Sequence, residues 1–285
     1  MPSAPQVSPD SSCYRQILGV RFYVGPIEGL LQRTSEGGLI VVPSAPVLVN
    51  LPKDAAHRTA VEGSDLAITD SGLMVLLWLL LKRERLIRIS GLRYMRALLL
   101  DPQFRQAGAS FWVMPTPEDS VANREWLNTQ GFNVSESDCY VAPHYARTGP
   151  LEDPALLAMI REKRPQYVLL NLAGGVQERL GWYLREALKG KQGAGSPEPG
   201  VFDPQVSGLR SQVSGPAYCP ALICTGAAIA FLSGRQAKIP VWADRLMLGW
   251  LLRSLGNPGL YLPRYWQSLR LVPLLWKHGA KSVVG

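Results

Sequence analysis

The segment Leu66-Ala-Ile-Thr-Asp-Ser-Gly72 predicts a strand, a tight turn and the start of a helix, and Asp70 is its first candidate functional residue. The same order recurs where Tyr167-Val-Leu-Leu-Asn-Leu172 runs into Ala173-Gly-Gly-Val-Gln-Glu178, and where Ala221-Leu-Ile-Cys224 runs into Thr225-Gly226. In an open parallel sheet, ligands bind outside the carboxyl ends of the strands, where helix N-termini favour anionic groups. The three junctions therefore predict one site, and we expect a nucleotide diphosphate there.

The rest of the chain alternates short apolar runs with helical patterns, an arrangement that gives crossover connections and a parallel sheet. We therefore expect an α/β fold: a mainly parallel Rossmann-like sheet with helices on both faces, plus a basic and aromatic helical appendage at the C-terminus. The predicted strands cover residues 16–24, 39–42, 66–69, 88–90, 110–114, 139–142, 167–172 and 221–224. The predicted helices include residues 55–61, 72–85, 93–100, 120–129 and 154–163.

Composition divides the chain into three predicted regions. Residues 1–12 are rich in Pro and Ser and are expected to form a disordered tail. Residues 13–249 form the predicted α/β domain, in which the Gly-, Ser- and Pro-rich residues 189–219 predict a flexible loop, either a lid or a disordered insertion. Residues 250–285 form the predicted membrane-associating appendage.

Charge and cysteine content restrict the function classes. The 30 Lys and Arg against 22 Asp and Glu give a formal net charge of +8, which indicates a polyanionic partner. The four cysteines contain no CxxC pair, so we do not expect a zinc site, and the absence of a signal-peptide pattern predicts a cytoplasmic protein. The apolar run Leu73 to Leu81 is shorter than the about 20 residues that span a bilayer, and we expect it to be a buried helix.

The segment from Arg253 to Lys281 interleaves cations with aromatic and leucine side chains and contains no acidic residue. This composition is typical of a segment that lies at a membrane interface, where cations meet anionic lipid. A core-packing helix with snorkelling arginines is the alternative. Nucleic acid is disfavoured, because proteins that stack bases place their aromatics on a sheet or groove. The residues expected to contact membrane or lipid diphosphate are Arg253, Arg264, Tyr265, Trp266 and Arg270.

Three stretches of the chain, taken together with their order and spacing, resemble motifs of the WecG/TagA/CpsF family of bacterial glycosyltransferases. The resemblance extends from about residue 17 to residue 271. Ser64-Asp-Leu-Ala-Ile-Thr-Asp-Ser-Gly72 is similar to the family's A-D-L-x-x-P-D-G, and residues 165–178 are similar to P-D-x-x-x-V-x-x-G-x-P-x-Q-E. The third stretch contains Gly226, Ser233-Gly234, Lys238-Ile-Pro240, Trp242, Gly249-Trp250, Arg253 and Arg264-Tyr265. Departures from the family pattern occur at Val42, Ser44, Ala173, Gly175, Ala230 and Gly249.

The resemblance implies roles for particular residues. Asp70 corresponds to the family's catalytic base, and Gln177 and Glu178 correspond to its nucleotide-sugar site. Inverting transfer needs one base to take the proton of the acceptor hydroxyl, but Asp70 could instead only cap the helix that begins at Gly72. The further residues expected to line the donor pocket are Ser44, Gly174, Thr225 and Gly226.

The pattern of the next helix predicts how Gln177 and Glu178 are oriented. Leu180, Leu184 and Leu188 should face the sheet, which would leave both polar heads free at the N-terminal end. Glu178 would then bind sugar or ribose hydroxyls, or only complement the helix dipole. Gly174 and Gly175 would allow a ligand to approach the backbone closely.

The chain contains no D-x-D motif, so we expect transfer without a divalent metal and without any cofactor. Backbone N–H groups and cations would then stabilise the leaving diphosphate, and Arg235 and Lys238 are the candidate cations.

These observations predict an inverting glycosyltransferase that moves a sugar from a nucleotide donor, UDP being the expected nucleotide, to a polyprenyl-diphosphate-linked glycan in surface polysaccharide synthesis. It would act in the cytoplasm, bound peripherally to the inner face of the bacterial cell membrane. Two alternatives stay open: a non-catalytic relative that serves as an assembly module, and a nucleotide-dependent oxidoreductase, although no G-x-G-x-x-G follows the first strand. The oligomeric state, homo-oligomer included, also stays open.

Overall fold

The computed structural model describes residues 11–190, 218–236 and 258–284. Its strands are β1 (Tyr14–Ile17), β2 (Val20–Tyr23), β3 (Gly38–Val41), β4 (Leu66–Ile68), β5 (Ser110–Met114), β6 (Cys139–Val141), β7 (Tyr167–Leu170) and β8 (Ala221–Cys224). Its helices are α1 (Ile27–Ser35), α2 (Ala45–Val49), α3 (Ala55–Glu62), α4 (Gly72–Lys82), α5 (Gly91–Leu100), α6 (Pro117–Thr129), α7 (Pro154–Lys163), α8 (Val176–Gly190), α9 (Ala228–Ser233), α10 (Pro258–Ser268) and α11 (Leu271–His278).

The strands form one eight-stranded sheet in the order β1-β2-β4-β3-β8-β7-β5-β6. Within the described residues every pairing is parallel apart from the β1–β2 hairpin at one edge. A mainly parallel sheet requires crossover connections, which the helices between the strands provide. The predicted α/β fold class is confirmed.

In β3, β4, β5, β7 and β8, alternate residues enter two hydrophobic cores, one on each face of the sheet. Leu39 and Val41 enter the first core, while Ile40 and Val42 enter the second, which is the alternation expected of a strand buried on both faces. The helices that contribute to the first core are α2, α3, α4, α7, α8 and α11. Those that contribute to the second are α1, α5, α6 and α9.

Two predicted strands are wrong. Residues 16–24 are not one strand but a hairpin, because Leu18 and Gly19 adopt φ values of 51° and 80° that reverse the chain. Residues 88–90 form no strand, and β4 pairs instead with β2 and β3 on its two sides. The backbone at Ile87 and Ile89 is held by the Thr69 hydroxyl, which donates to the Ile87 carbonyl at 2.6 Å and accepts from the Ile89 N–H at 3.2 Å.

Helix α4 is only partly buried, which corrects the expectation that its apolar run lies in the core. Met74, Val75 and Trp78 face the first core, but Leu76 and Leu80 on the opposite side of the helix are exposed. No helix in the described part of the chain is both long enough and apolar enough to cross a bilayer.

The described C-terminal residues are helical, consistent with the predicted appendage. Leu271 and Leu275 of α11 are buried in the first core, whereas Trp266 and Trp276 are exposed. Part of this segment therefore packs in the core, and part of it presents exposed aromatic side chains. Residues 1–10 of the tail predicted at residues 1–12, and residues 191–217 of the loop predicted at residues 189–219, lie outside the described residues. At the described ends, Ser11 begins a short 3-10 helix, Lys189 still belongs to α8, and Tyr218 packs against the first core.

Candidate functional site

The three predicted junctions open on the same edge of the sheet. β4, β7 and β8 are parallel, so the loops at residues 69–71, 171–175 and 225–227 all follow carboxyl ends. The loop that contains Ser44 follows β3, which lies between β4 and β8. Asp70, Ser44, Gly174, Gln177, Glu178, Thr225 and Gly226 are therefore brought to one edge.

A crevice is expected between β3 and β8. The chain leaves β3 for α2 on the first face and leaves β8 for α9 on the second face. Neighbouring strands that send their chains to opposite faces form a topological switch point, where open α/β sheets bind ligands. Because β4 and β8 flank β3 with Ala67 and Cys224 both level with Val41, the loops of Asp70 and Gly226 leave the sheet about 10 Å apart, two strand spacings.

The Asp70 carboxylate lies beside the N-terminus of α5. Asp70 Oδ1 accepts a hydrogen bond from the Gly91 N–H at 2.9 Å, and a side chain built at Gly91 would meet the Val42 side chain at 3.1 Å. The chain continues from Asp70 to α4 on the first face, whereas α5 packs on the second. Asp70 therefore reaches across the sheet edge beside the end of β3.

The alternative role predicted from the sequence, that Asp70 only caps α4, is wrong. The N-cap of α4 is Ser71, whose hydroxyl accepts from the Met74 N–H at 3.2 Å. Within the described residues, the hydrogen bond from Gly91 is the only one that the Asp70 carboxylate makes. The half-buried carboxylate is thus oriented by the N-terminus of α5.

Gln177 joins the loops that follow β7 and β8. Its Oε1 accepts from the Gly226 N–H at 2.8 Å, and its Nε2 donates to the Cys224 carbonyl at 3.3 Å and to Glu178 Oε1 at 3.0 Å. The other carboxylate oxygen of Glu178 accepts from the Gly175 N–H at 2.6 Å. The pair therefore connects the first turn of α8 with both loops.

The expectation that the heads of Gln177 and Glu178 are free is wrong. Their exposed fractions are 4% and 0%, and each polar group has a partner in the protein. The physical reason is that a buried carboxylate must be hydrogen-bonded, and the backbone N–H of Gly175 together with the Gln177 amide supplies that bonding. In this conformation Glu178 holds the loops in place and presents no oxygen to a ligand.

The thiol of Cys224 lies under this pair. Burial raises the pKa of Cys224 well above its ordinary value, and the negative charge of Glu178 adds to the effect. The neutral thiol donates to the Gln177 carbonyl at 3.4 Å. It thus contributes to the same connection between β8 and α8.

Gly174 serves packing in this structure. A side chain there would lie 2.6 Å from Cγ2 of Val47 in α2, so the space beside Gly174 is already filled by the protein. At Gly175 the space is open, and its φ of +91° requires glycine. The expected close approach of a ligand therefore fits Gly175 better than Gly174.

Ser44 and Thr225 place hydroxyl groups at the carboxyl ends of β3 and β8. Ser44 is the N-cap of α2 but makes no capping hydrogen bond with its side chain. The Thr225 hydroxyl lies 3.4 Å from Asn171 Oδ1, and Asn171 itself is held by its Nδ2 donating to the carbonyls of Val113 and Leu169. Asn171 is a polar residue of this edge that the sequence analysis did not single out.

Arg88 and Gly91 were also missed as neighbours of Asp70. Arg88 Nε donates to the Asp70 carbonyl at 2.9 Å, which fixes the backbone of the loop. The prediction of a strand at residues 88–90 did not indicate that the N-terminus of α5 lies beside Asp70. Ser90-Gly91 before an apolar helix is an N-cap signal, and Ser90 does accept from the Arg93 N–H, so the helix start could have been found.

A second missed group is the buried ion pair of Arg179 and Asp54. Arg179 donates to the carbonyls of Gly175, Gly149 and Ala146, and its Nε lies 3.9 Å from Asp54 Oδ2. Burial alone would raise the pKa of Asp54, but the N–H groups of His57 and Gly149 and the Arg179 charge hold that pKa below its ordinary value. This group ties α8 to the start of α3.

The proposed cations and membrane contacts are only partly in view. Arg235 Nε lies 3.1 Å from Asp119 Oδ1, so its guanidinium is paired with α6. Trp266 and Arg270 are exposed, and Arg264 and Tyr265 lie in α10. Lys238 and Arg253 lie outside the described residues.

No group of three His, Cys, Asp or Glu side chains in the described ranges is arranged to hold a metal ion. A small indentation lined by Gly38, Arg185 and Tyr218 lies at the amino ends of β3 and β8, at the opposite end of these strands from the Asp70 loop.

The profile of the glycosyl transferase WecG/TagA/CpsF family matches residues 15–196 and 211–283. The chain belongs to this family. The match includes all of the sheet strands apart from the first residue of β1, and it contains every candidate site residue named above. It supports glycosyl transfer rather than the oxidoreductase alternative. No curated protein matches the chain with significant similarity.

Proposed function

We propose that the chain transfers a sugar from a UDP-sugar to a polyprenyl-diphosphate-linked glycan, with inversion at the anomeric carbon and Asp70 as the base. The observation that carries this proposal is the position of the Asp70 carboxylate: it is half-buried, oriented by the Gly91 N–H and located at the sheet edge beside the switch point between β3 and β8. A single carboxylate there is sufficient to accept the proton of the acceptor hydroxyl.

The donor would lie across the crevice from Asp70, against the loops after β3 and β8. Ser44 and Thr225 lie in those two loops, Gly175 lies in the neighbouring loop after β7, and Gln177 and Glu178 act as positioning residues that fix the loops. Attack from the Asp70 side and departure of the diphosphate on the opposite side would give inversion. The proton moves from the acceptor hydroxyl to Asp70, the acceptor oxygen forms the new bond to the anomeric carbon, and the bond to the diphosphate breaks.

We further propose that no metal or other cofactor takes part, since the sequence contains no D-x-D motif. The enzyme would work at the inner face of the bacterial membrane, where its lipid-linked acceptor is located. The exposed Trp266 and Arg270 support this placement, because aromatic and cationic side chains together favour the headgroup region of anionic membranes.

The test is sugar transfer by the wild type and by Asp70→Asn, with a panel of UDP-sugars, a lipid-diphosphate acceptor and excess chelator. Asparagine keeps the oxygen that accepts from Gly91 but cannot take a proton, so we expect transfer to fall by about 10²- to 10⁴-fold with little change in thermal stability. Asp101→Asn is the matched control, because Asp101 is also half-buried and accepts backbone N–H bonds, but at the other end of α5.

Equal transfer by the wild type and Asp70→Asn would remove Asp70 from the mechanism. Loss of wild-type transfer in chelator, restored by a divalent cation, would overturn the metal-independent part. Wild-type protein that transfers no sugar from any donor of the panel would favour the assembly-module alternative.

A further inference from the structure

The outward side of α4 presents leucines that the proposed function does not use. Leu76 and Leu80 are one turn apart and are 49% and 67% exposed, on the side of the helix opposite Met74, Val75 and Trp78. Single exposed leucines are ordinary on protein surfaces, but a ridge of them beside other apolar groups marks an interaction surface.

The C-terminal segment lies beside α4 through its last helix, α11. α11 packs against α4, and the end of the Lys82 side chain lies beside Gly279. Because Leu271 and Leu275 enter the same core as Met74, Val75 and Trp78, both helices lie on the same face of the sheet and turn their outer sides to the same solvent. The exposed apolar residues of this segment are Leu262, Trp266, Leu269, Val272 and Trp276.

Exposed apolar side chains are concentrated here. Seven of the twelve large exposed hydrophobic residues in the described part of the chain belong to α4 or to residues 258–278. Trp266 and Trp276 are 77% and 78% exposed. Tryptophan is the residue typical of the interface between lipid headgroups and acyl chains, so its exposure on this side favours a bilayer as the partner.

The charge around the surface is positive. Lys82, Arg83 and Arg85 are exposed at the end of α4, and Arg270, Lys277 and Lys281 are exposed along the C-terminal segment. No acidic residue follows Asp244 in the sequence. Glu84, two residues after the end of α4, is paired with Arg15 and accepts a hydrogen bond from the Trp78 indole at 3.0 Å. Such a surface is complementary to anionic lipid.

We propose that α4 and residues 258–278 form one composite lipid-docking surface, which seats on an anionic bilayer. This proposal rests on the proposed function, because docking on a bilayer is useful to an enzyme whose acceptor is linked to lipid. α4 begins two residues after Asp70 and is about 16 Å long, so docking through α4 would fix the distance between the Asp70 carboxylate and the lipid headgroups. The C-terminal helices alone would not determine that distance.

The experiment is flotation of the full chain with vesicles of phosphatidylcholine and phosphatidylglycerol. We expect Leu76→Gln/Leu80→Gln to weaken vesicle binding about tenfold, because two leucine side chains no longer leave water. Glutamine is a good helix former, and the single variant Leu80→Gln, at the more exposed position, gives a smaller loss if the double variant folds poorly. Leu100→Gln is the matched control, since Leu100 is 77% exposed at the end of α5 on the other face, and should bind like the wild type.

Wild-type binding should also be weaker to vesicles of phosphatidylcholine alone. Folded Leu76→Gln/Leu80→Gln that binds vesicles as well as the wild type would overturn the inclusion of α4. A wild type that is dimeric without lipid, and monomeric after these substitutions, would show that a second copy covers the surface, which also overturns the proposal. Asp70→Asn should float like the wild type. Failure of the sugar-transfer hypothesis would therefore appear in the transfer assay, and failure of the docking hypothesis would appear in flotation.

Discussion

Gln177→Glu replaces one NH2 group by oxygen at the point where the loops after β7 and β8 are joined. The acceptor oxygen that binds the Gly226 N–H is kept, but the donated bonds to Glu178 Oε1 at 3.0 Å and to the Cys224 carbonyl at 3.3 Å are lost. Losing a hydrogen bond to a buried charged group costs about 2 kcal/mol, and losing one to a carbonyl costs about 1 kcal/mol. We therefore expect the free energy of unfolding to fall by about 3 kcal/mol at pH 8, before repulsion is added.

The decrease in the free energy of unfolding should depend on pH, because Gln177→Glu puts two buried carboxyl groups side by side. Two such groups share a proton, so the pKa of the pair rises above the about 4.3 of an unfolded glutamate. A proton on the pair restores a donor between the two oxygens. For a group whose folded pKa is raised, the penalty is absent below the unfolded pKa and grows as the pH rises through the folded pKa. The variant should thus be closest to the wild type below about pH 4.5 and furthest from it at pH 8.

Urea unfolding followed by tryptophan fluorescence at pH 5 and pH 8 measures this difference. Gln32→Glu on the exposed side of α1 is the matched control and should change the free energy of unfolding little at either pH. A Gln177→Glu variant as stable as the wild type at pH 8, or equally destabilised at both pH values, would refute the reasoning that this amide joins the two loops through buried donors.

Two further predictions concern the surroundings of the same edge. Gly174→Ala should lower the free energy of unfolding by about 1–2 kcal/mol through its contact with Val47, and Val47→Ala in the same chain should recover part of that loss; additive effects in urea unfolding would contradict the contact. Asp54→Asn should cost about 2 kcal/mol above pH 5, because an amide donor then faces the Gly149 N–H and the Arg179 pair is lost. Because the pKa of Asp54 is lowered in the folded state, its carboxylate stabilises the fold above the unfolded pKa of about 4, and this stabilisation is lost as the pH falls through the folded pKa. The difference in the free energy of unfolding between Asp54→Asn and the wild type should therefore shrink when urea unfolding is measured in acid. A difference that stays constant with pH would contradict this account.

The candidate site was predictable to the level of the sheet edge but not to the level of the side chains. The junctions after β4, β7 and β8 follow from apolar runs that end in Gly, Ser, Asp or Thr, and parallel strands bring such ends together. Helix periodicity does not show whether a polar residue in the first turn of α8 faces solvent or an adjacent loop. Gln177 and Glu178 face inward because the Gly226 and Gly175 N–H groups need acceptors there, and those groups come from separate parts of the chain.

The order of apolar runs, turn residues and helical patterns was enough to determine the α/β class, most of the strands and the family, because these depend on local periodicity and on motifs read along the chain. The tertiary structure decided what depends on neighbours that are distant in sequence. It assigned Asp70 to the N-terminus of α5 rather than α4, filled the space at Gly174 with Val47 and packed α11 against α4. A residue's own neighbours along the chain do not contain that information, since hydrogen bonds and packing contacts across a sheet edge exist only once the strands are assembled.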